Sequence, residues 1–319
     1  MFDLFQQLSG WLTVIFVVLS MLNVGLTQDP RKLLQHLRDW QYLVRMLVAN
    51  FLVVPGVMLL AVVMFEIPAP YSSALLIFSA AAGAPLLIKL TAQSDNDIGQ
   101  GATIQMVHMA ATVLLLPTLL PMLLDDTVSV GMWAIAQPLL LQMITPLIAG
   151  MILRTVAEKV AGAIQTPVAR ISNIALYGLL IFAVLGYLPQ LIDAQLWGAL
   201  LTGMAVLLIA FYVGYGTGQG RPAQSQLGAL GTAQRNTAAA LITSSQFDDP
   251  RVFLTVIMLN TLMMFLLLWL ATRLGNDAKI AFLEPLEADM PGGVERPYSD
   301  DPAGGARLAR KLRLRKPTS

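Results

Sequence analysis

Nine apolar stretches recur along this chain, near residues 10–27, 42–65, 72–93, 101–124, 131–153, 169–192, 196–217, 223–247 and 251–273. A bilayer core of about 30 Å takes roughly 20 apolar residues as a helix, and each stretch is close to that length. A spanning strand needs only about 10 residues and alternates in polarity, which these stretches do not. The fold expected is therefore an all-α polytopic membrane protein with nine transmembrane helices. Composition agrees: 56% of residues are apolar and 12% charged, against about 25% charged in an ordinary soluble domain. Such a chain cannot cover a water-facing surface with polar groups, so lipid must be its main solvent.

The loops carry charge asymmetrically. With the N-terminus outside, the inside segments hold Arg31, Lys32, Arg38 and Arg45, then Arg154, Lys159 and Arg170, then Arg221. The outside loops hold Arg251 alone among basic residues, with Glu66, Asp125, Asp126, Asp193, Asp248 and Asp249. This is a positive-inside pattern that a wrong span count would scramble. It places the C-terminus in the cytoplasm, and the setting expected is the bacterial inner (plasma) membrane. The first apolar run has no basic segment before it, so we take it as a span of the mature chain rather than a cleaved leader.

The remainder, 274–319, differs in kind. It is rich in Pro, Gly and Asp and ends in a basic run. A disordered cytoplasmic tail is one reading, and a short basic helix on anionic headgroups is the other. The chain has no cysteine and two histidines, His36 and His108. That excludes disulfides and thiolate metal sites and argues against a histidine metal centre. No cofactor or nucleic-acid partner is expected; the partners are the bilayer and a small solute.

The third and eighth stretches are the least apolar. The third contains Gly83, Pro85 and Lys89; the eighth contains Gly228, Gly231, Thr232, Gln234, Arg235, Asn236 and Thr237. Pro85 removes a donor and clashes with the preceding turn, and Gly83, Gly228 and Gly231 make helix breaks cheap. The third and eighth stretches are five apart in order, with four spans between them, so they cross the membrane in opposite directions. Interrupted helices at matching places in opposed halves point to the substrate site of an inverted-repeat transporter. Lys89 and Arg235 sit where charge costs about 2.5–3.5 kcal/mol on insertion scales. Each either pairs with an acid, snorkels to an interface, or faces a cavity and attracts an anion. Planar Arg suits a carboxylate or sulfonate. Asn50, in the second span, is either interhelical glue or a substrate contact. Gln105 and His108 lie about one turn apart on one face of the fourth span; His108 is either a packing residue or a proton relay.

These residues resemble those of the bile acid:sodium symporter family. The resemblance is carried by Gly25–Pro30, by Ala49-Asn-Phe with Pro55, by Gly83–Ala92 and by Gln234–Leu241 with Phe247 and Pro250. It implies a panel domain, about 8–27 and 131–192, and a core domain, about 42–124 and 196–273. The two are related by an inverted repeat and hold two unwound helices that cross near the membrane midplane. It implies alternating-access transport of organic anions. This sequence departs from the sodium-coupled members. By the same resemblance, Gly231 stands where they have a Glu, Arg235 where they have a Gln, and Asn236 at an Asn. Pro85 and Leu86 replace a Ser-Asn pair, and Gln105 and Met109 replace hydroxyls.

The substrate set expected is Arg235, Asn236, Lys89, Asn50, Gln234, Thr232, Thr237, Gln105 and His108, with breaks at Gly83, Pro85, Gly228 and Gly231. A guanidinium in the place of a cage for sodium disfavours sodium as the coupling ion. A sodium-coupled anion symporter is the alternative, and a channel or sensor is the alternative of another class. An embedded enzyme is not expected, because the spans lack a clustered acid, base and nucleophile.

Overall fold

The computed structural model describes residues 2–28, 37, 39–124 and 131–288. Arg31, Lys32, His36, Arg38, Asp125, Asp126 and the tail from 289 lie outside the described residues. The described residues form eleven helices. They are α1 (Phe2–Thr27), α2 (Trp40–Met64), α3 (Ala69–Ala80), α4 (Leu86–Gln93), α5 (Ile98–Leu123), α6 (Met132–Val156), α7 (Glu158–Gly186), α8 (Ala194–Gly216), α9 (Pro222–Ala233), α10 (Thr237–Ser244) and α11 (Pro250–Ala288). A 3-10 turn, Leu188–Ile192, precedes α8.

Seven of these helices are long and apolar enough to cross a membrane: α1, α2, α5, α6, α7, α8 and α11 up to Asn276. The third and eighth expected stretches are not single helices. Each is two short helices, α3 with α4 and α9 with α10, separated by a few extended residues. The last helix continues past the span end expected at 273 as far as Ala288.

Local chemistry explains the irregularities. The α2 and α6 helices each widen into a π turn, at Ala49–Val53 and Leu140–Ile144. Pro55 and Pro146 follow these turns by two residues. A proline ring clashes with the carbonyl of the previous turn, and an extra residue in that turn relieves the clash. Helix starts are capped: Asp97 accepts from Gly99 N at 2.7 Å, and Asp193 accepts from Gln195 N at 2.9 Å.

The helices pack in two groups. In one, α1 lies along α7 and α6. Gly25 and Gly150 let α1 and α6 touch backbone to backbone; a Cβ at Gly25 would lie 2.2 Å from Leu147 O. In the other, α3 packs on α2, α5, α8 and α11, α8 packs on α9, and α4 packs on α5, α9 and α11. The groups meet where α10 packs on α1 and on Met132–Leu139 of α6, where α7 meets α11, and where α5 meets Met132–Leu139 of α6. Large apolar side chains face outward around the bundle, among them Trp11, Leu52, Leu114, Ile174, Leu201 and Phe265. A water-soluble protein would not expose so much apolar surface, and lipid is the solvent that fits it.

A polar cluster ties the start of α3 to the starts of α8 and α11. The Tyr71 hydroxyl donates to the Asp193 carboxylate. Arg251 lies over the Tyr71 ring, 5.9 Å from its centroid, and chelates Asp249 at 2.7 and 3.0 Å. The Tyr71 bond, then the Gln195 amide, holds the Asp193 carboxyl below its usual range, and Arg251 does the same for Asp249. Groups depressed in the folded state stabilise it above their unfolded pKa, and that stability is lost as pH falls through the folded value. Thermal melts should therefore decline below about pH 4, and Tyr71→Phe should shrink the Asp193 part of that decline. A Tyr71→Phe profile that overlays the wild type would show that the cluster does not contribute.

Candidate functional site

The two breaks touch each other. The first, Ala81–Pro85, leaves α3 extended at Ala81, turns at Gly83, whose φ is +78°, and re-enters helical backbone at Pro85. Only glycine adopts that backbone without strain, and there is no room for more: a Cβ would lie 2.2 Å from Met109 N and 2.6 Å from His108 C. The second break spans Gln234–Asn236. Asn236 N donates to Ala81 O at 2.9 Å, and the Asn236 amide donates to Gly83 O at 3.1 Å. Gln234 reaches Ala84 O at 3.4 Å. The Asn236 carbonyl oxygen also caps α10 by accepting from Ala239 N at 3.1 Å. Thr112 of α5 closes the remaining peptide, donating to Ala82 O at 2.8 Å and accepting from Ala82 N at 2.9 Å. Broken backbone in a bilayer is tolerable only when its polar groups are met in this way.

Arg235 sits at the crossing and is 0% exposed. Nη1 donates to Ser79 O at 2.8 Å, and Nη2 donates to Thr232 O. These carbonyls belong to the last turns of α3 and α9. A helix end leaves carbonyls unpaired and carries partial negative charge. The guanidinium thus bridges two negative helix ends. It forms no ion pair among the described residues, and no Asp or Glu among them is buried. Its Nε has no partner, and the Arg235 backbone amide rests on Met263 Sδ at 3.2 Å.

Other buried polar side chains lie on the neighbouring elements α2 and α5. Asn50, in the π turn of α2, donates to Met46 O at 2.9 Å and to Thr232 Oγ1 at 3.3 Å, leaving its Oδ1 unpaired. His108 Nδ1 lies 2.7 Å from Ile104 O, and its ring stacks on Phe51 at 6.2 Å. A carbonyl only accepts, so Nδ1 carries the hydrogen, and Nε2 is buried without a partner. Both amide atoms of Gln105 are likewise unpaired. Each such buried group costs about 1–3 kcal/mol when unmet. In a native structure such unmet buried groups call for an explanation, and here they make the crossing a candidate binding site.

The other sequence-predicted residues fall at varying distances from these side chains. Thr232 is buried beside Asn50, while Thr237 is half-buried and bonds Asn260 Oδ1 at 2.5 Å. Lys89 lies on α4 and is exposed, so it does not join Arg235 among the buried polar groups. Two of the expected break glycines are displaced. Gly228 and Gly231 lie inside α9, and the chain opens three residues after Gly231 instead. Their small size serves contact: a Cβ at Gly228 would lie 2.2 Å from Gly214 O, and one at Gly231 would lie 3.1 Å from Met46 Cε. Pro85 is placed as expected, directly before α4. Sequence reasoning missed Ser79, whose role is played by its backbone carbonyl and leaves no side-chain signal. It also missed Thr112, which follows Gln105 and His108 at the next turns of the same face and was legible as such.

The model of the sodium bile acid symporter family matches residues 14–193, from within α1 to the residue before α8. The chain belongs to that family. No curated protein matches it. Membership and seven apolar helices make it an integral membrane protein of a family of transporters. The family match covers the first break but ends before the second, so Arg235 lies in the part of this symporter-family chain beyond the match.

Proposed function

We propose that this protein carries a small organic anion, a carboxylate or sulfonate, by alternating access, and that Arg235 takes the place of a coupling sodium ion. The observation that carries the reading is the guanidinium bridging Ser79 O and Thr232 O with no carboxylate beside it. Two negative helix ends facing one point attract a cation. A tethered guanidinium fills that place permanently. A sodium ion beside it would be repelled by several kcal/mol at an effective dielectric near 20. The starts of α4 and α10 supply partial positive charge at the same crossing, and α4 begins with no side-chain cap. Arg235 Nε and the Gln105 amide add donors. Together with Asn50, His108, Gln234 and Asn236 they form the substrate region.

In this reading α3–α4 and α9–α10 are the two crossing helices of a nine-span inverted repeat. Helices α2–α5 and α8–α11 form the core, and α1, α6 and α7 form the panel. The separate packing of these groups supports rigid-body motion of one against the other. The joining contacts engage α10 and the first part of α6, on the side of the Tyr71–Asp193 cluster.

Uptake into proteoliposomes tests the proposal, with labelled cholate as the carboxylate and taurocholate as the sulfonate. Initial rates should be equal with an inward sodium gradient and with sodium replaced by choline. A strict sodium requirement would return the protein to ordinary symport and leave Arg235 a structural role.

A further inference from the structure

Among the buried polar side chains near Arg235, His108 is the one whose side-chain type ordinarily changes charge between about pH 5 and 8. Among the described residues no Asp, Glu or Lys is buried, and the chain has no cysteine. The charged and titratable groups facing His108 can be named by element. The second break presents Arg235. The first break, α9 and α10 present none. On α2, Tyr42 and Arg45 are engaged elsewhere, with Gln224 O at 2.7 Å and Thr217 O at 2.9 Å. On α4, Lys89 is exposed. Arg154 of α6 pairs with Glu158 at 3.1 Å, and Arg251 of α11 is chelated by Asp249.

The ring has one nitrogen free to take a second proton. Nδ1 already donates to Ile104 O, and Nε2 is buried without a partner. With a proton on Nε2, both ring nitrogens would donate. Arg235 opposes this state while it stands alone, because two positive charges would then share a buried site without an acid. An anion at Arg235 removes the opposition. Anion and proton therefore favour each other's binding, and the coupling is reciprocal.

We propose that His108 carries a proton with the anion, so that the pair crosses without net charge; this rests on the sodium-independent transport proposed above. On the entry side a solvent proton bonds to Nε2 as the anion binds. On the exit side the anion leaves and Nε2 returns its proton to solvent. Nothing is oxidised or reduced.

The test uses the full chain in proteoliposomes with the membrane potential clamped. Taurocholate is the probe, because its sulfonate stays ionised and any proton moving with it must be carried by the protein. A gradient of one pH unit, acid outside, should sustain about tenfold accumulation for one proton per anion. Exterior alkalinisation should accompany uptake. His108→Gln can still donate to Ile104 O and cannot take the proton. It should lose accumulation, falling to the outside concentration, while a wild-type size-exclusion peak and melting temperature show the variant folded; taurocholate exchange, at a lowered rate, separates lost coupling from lost transport. His36→Gln should keep both. Gradient-driven accumulation in His108→Gln would overturn the inference, as would wild-type uptake indifferent to the gradient; either result leaves sodium-independent transport standing. If the wild type moves neither cholate nor taurocholate under any gradient, the parent reading falls and this one with it.

Discussion

Exchanging Arg235 for methionine is expected to yield a folded protein that no longer moves taurocholate. Two opposing effects set the stability. The substitution leaves Ser79 O and Thr232 O without their donor, at about 1–3 kcal/mol each. It also removes a buried charge that has no acid beside it, and replacing buried ions by apolar groups is often neutral or stabilising by about 1–4 kcal/mol. These nearly cancel, so the melting temperature should change little. Transport has no such compensation. Hydrogen bonds from a charged donor contribute about 1.5–3 kcal/mol each. Losing two from the loaded state slows uptake about 10²–10⁴-fold. Arg235→Lys keeps the charge but not the fork that spans two carbonyls, and should fall between the two. Uptake by Arg235→Met within twofold of the wild type would reduce the guanidinium to a packing element.

The second large effect is at Gly83. Gly83→Ala should prevent accumulation of folded protein, measured as the monodisperse peak of a fluorescent fusion on size-exclusion chromatography. An L-residue at φ +78° is strained by about 1–2 kcal/mol. The larger penalty is steric, because the new methyl would meet the α5 backbone at Met109 N, His108 C and Gln105 O. Backbone cannot rotate away as a side chain can. The first break would have to lift off α5, losing the Thr112 bonds to Ala82. A total above about 3 kcal/mol is expected, in the range of severe substitutions. Gly198→Ala is the control, since nothing lies within 4 Å of its Cβ. A normal peak from Gly83→Ala would mean that the break adopts another path.

Much of the architecture was legible because the bilayer sets the length of every span. Each long helix lies on an apolar stretch. The two weak stretches were anomalous in the sequence for the reason they are broken in the fold: polar residues and Pro or Gly cannot sit in lipid as an uninterrupted apolar helix. The position of the second break was not legible. Gly228 and Gly231 suggested an opening, but glycine serves close packing as readily as bending, and only the neighbours Gly214 and Met46 decide which. The opening follows Ala233 because the Asn236 backbone and side chain bond the other break. The charge at Arg235 was legible as an anomaly. Its bridge to Ser79 O was not, because a backbone acceptor has no letter in the sequence. Lys89 looked equivalent to Arg235 by composition, yet helical phase turns it outward.

The bonds from Asn236 to Ala81 O and Gly83 O have a mechanical corollary. Elements fastened at their weakest points cannot flex there independently. The crossing is then a rivet rather than a knee, and in the cycle proposed above the unwound residues move inside a stiff block. The proposed cycle then places its motion at the seam between the two helical groups rather than at the breaks.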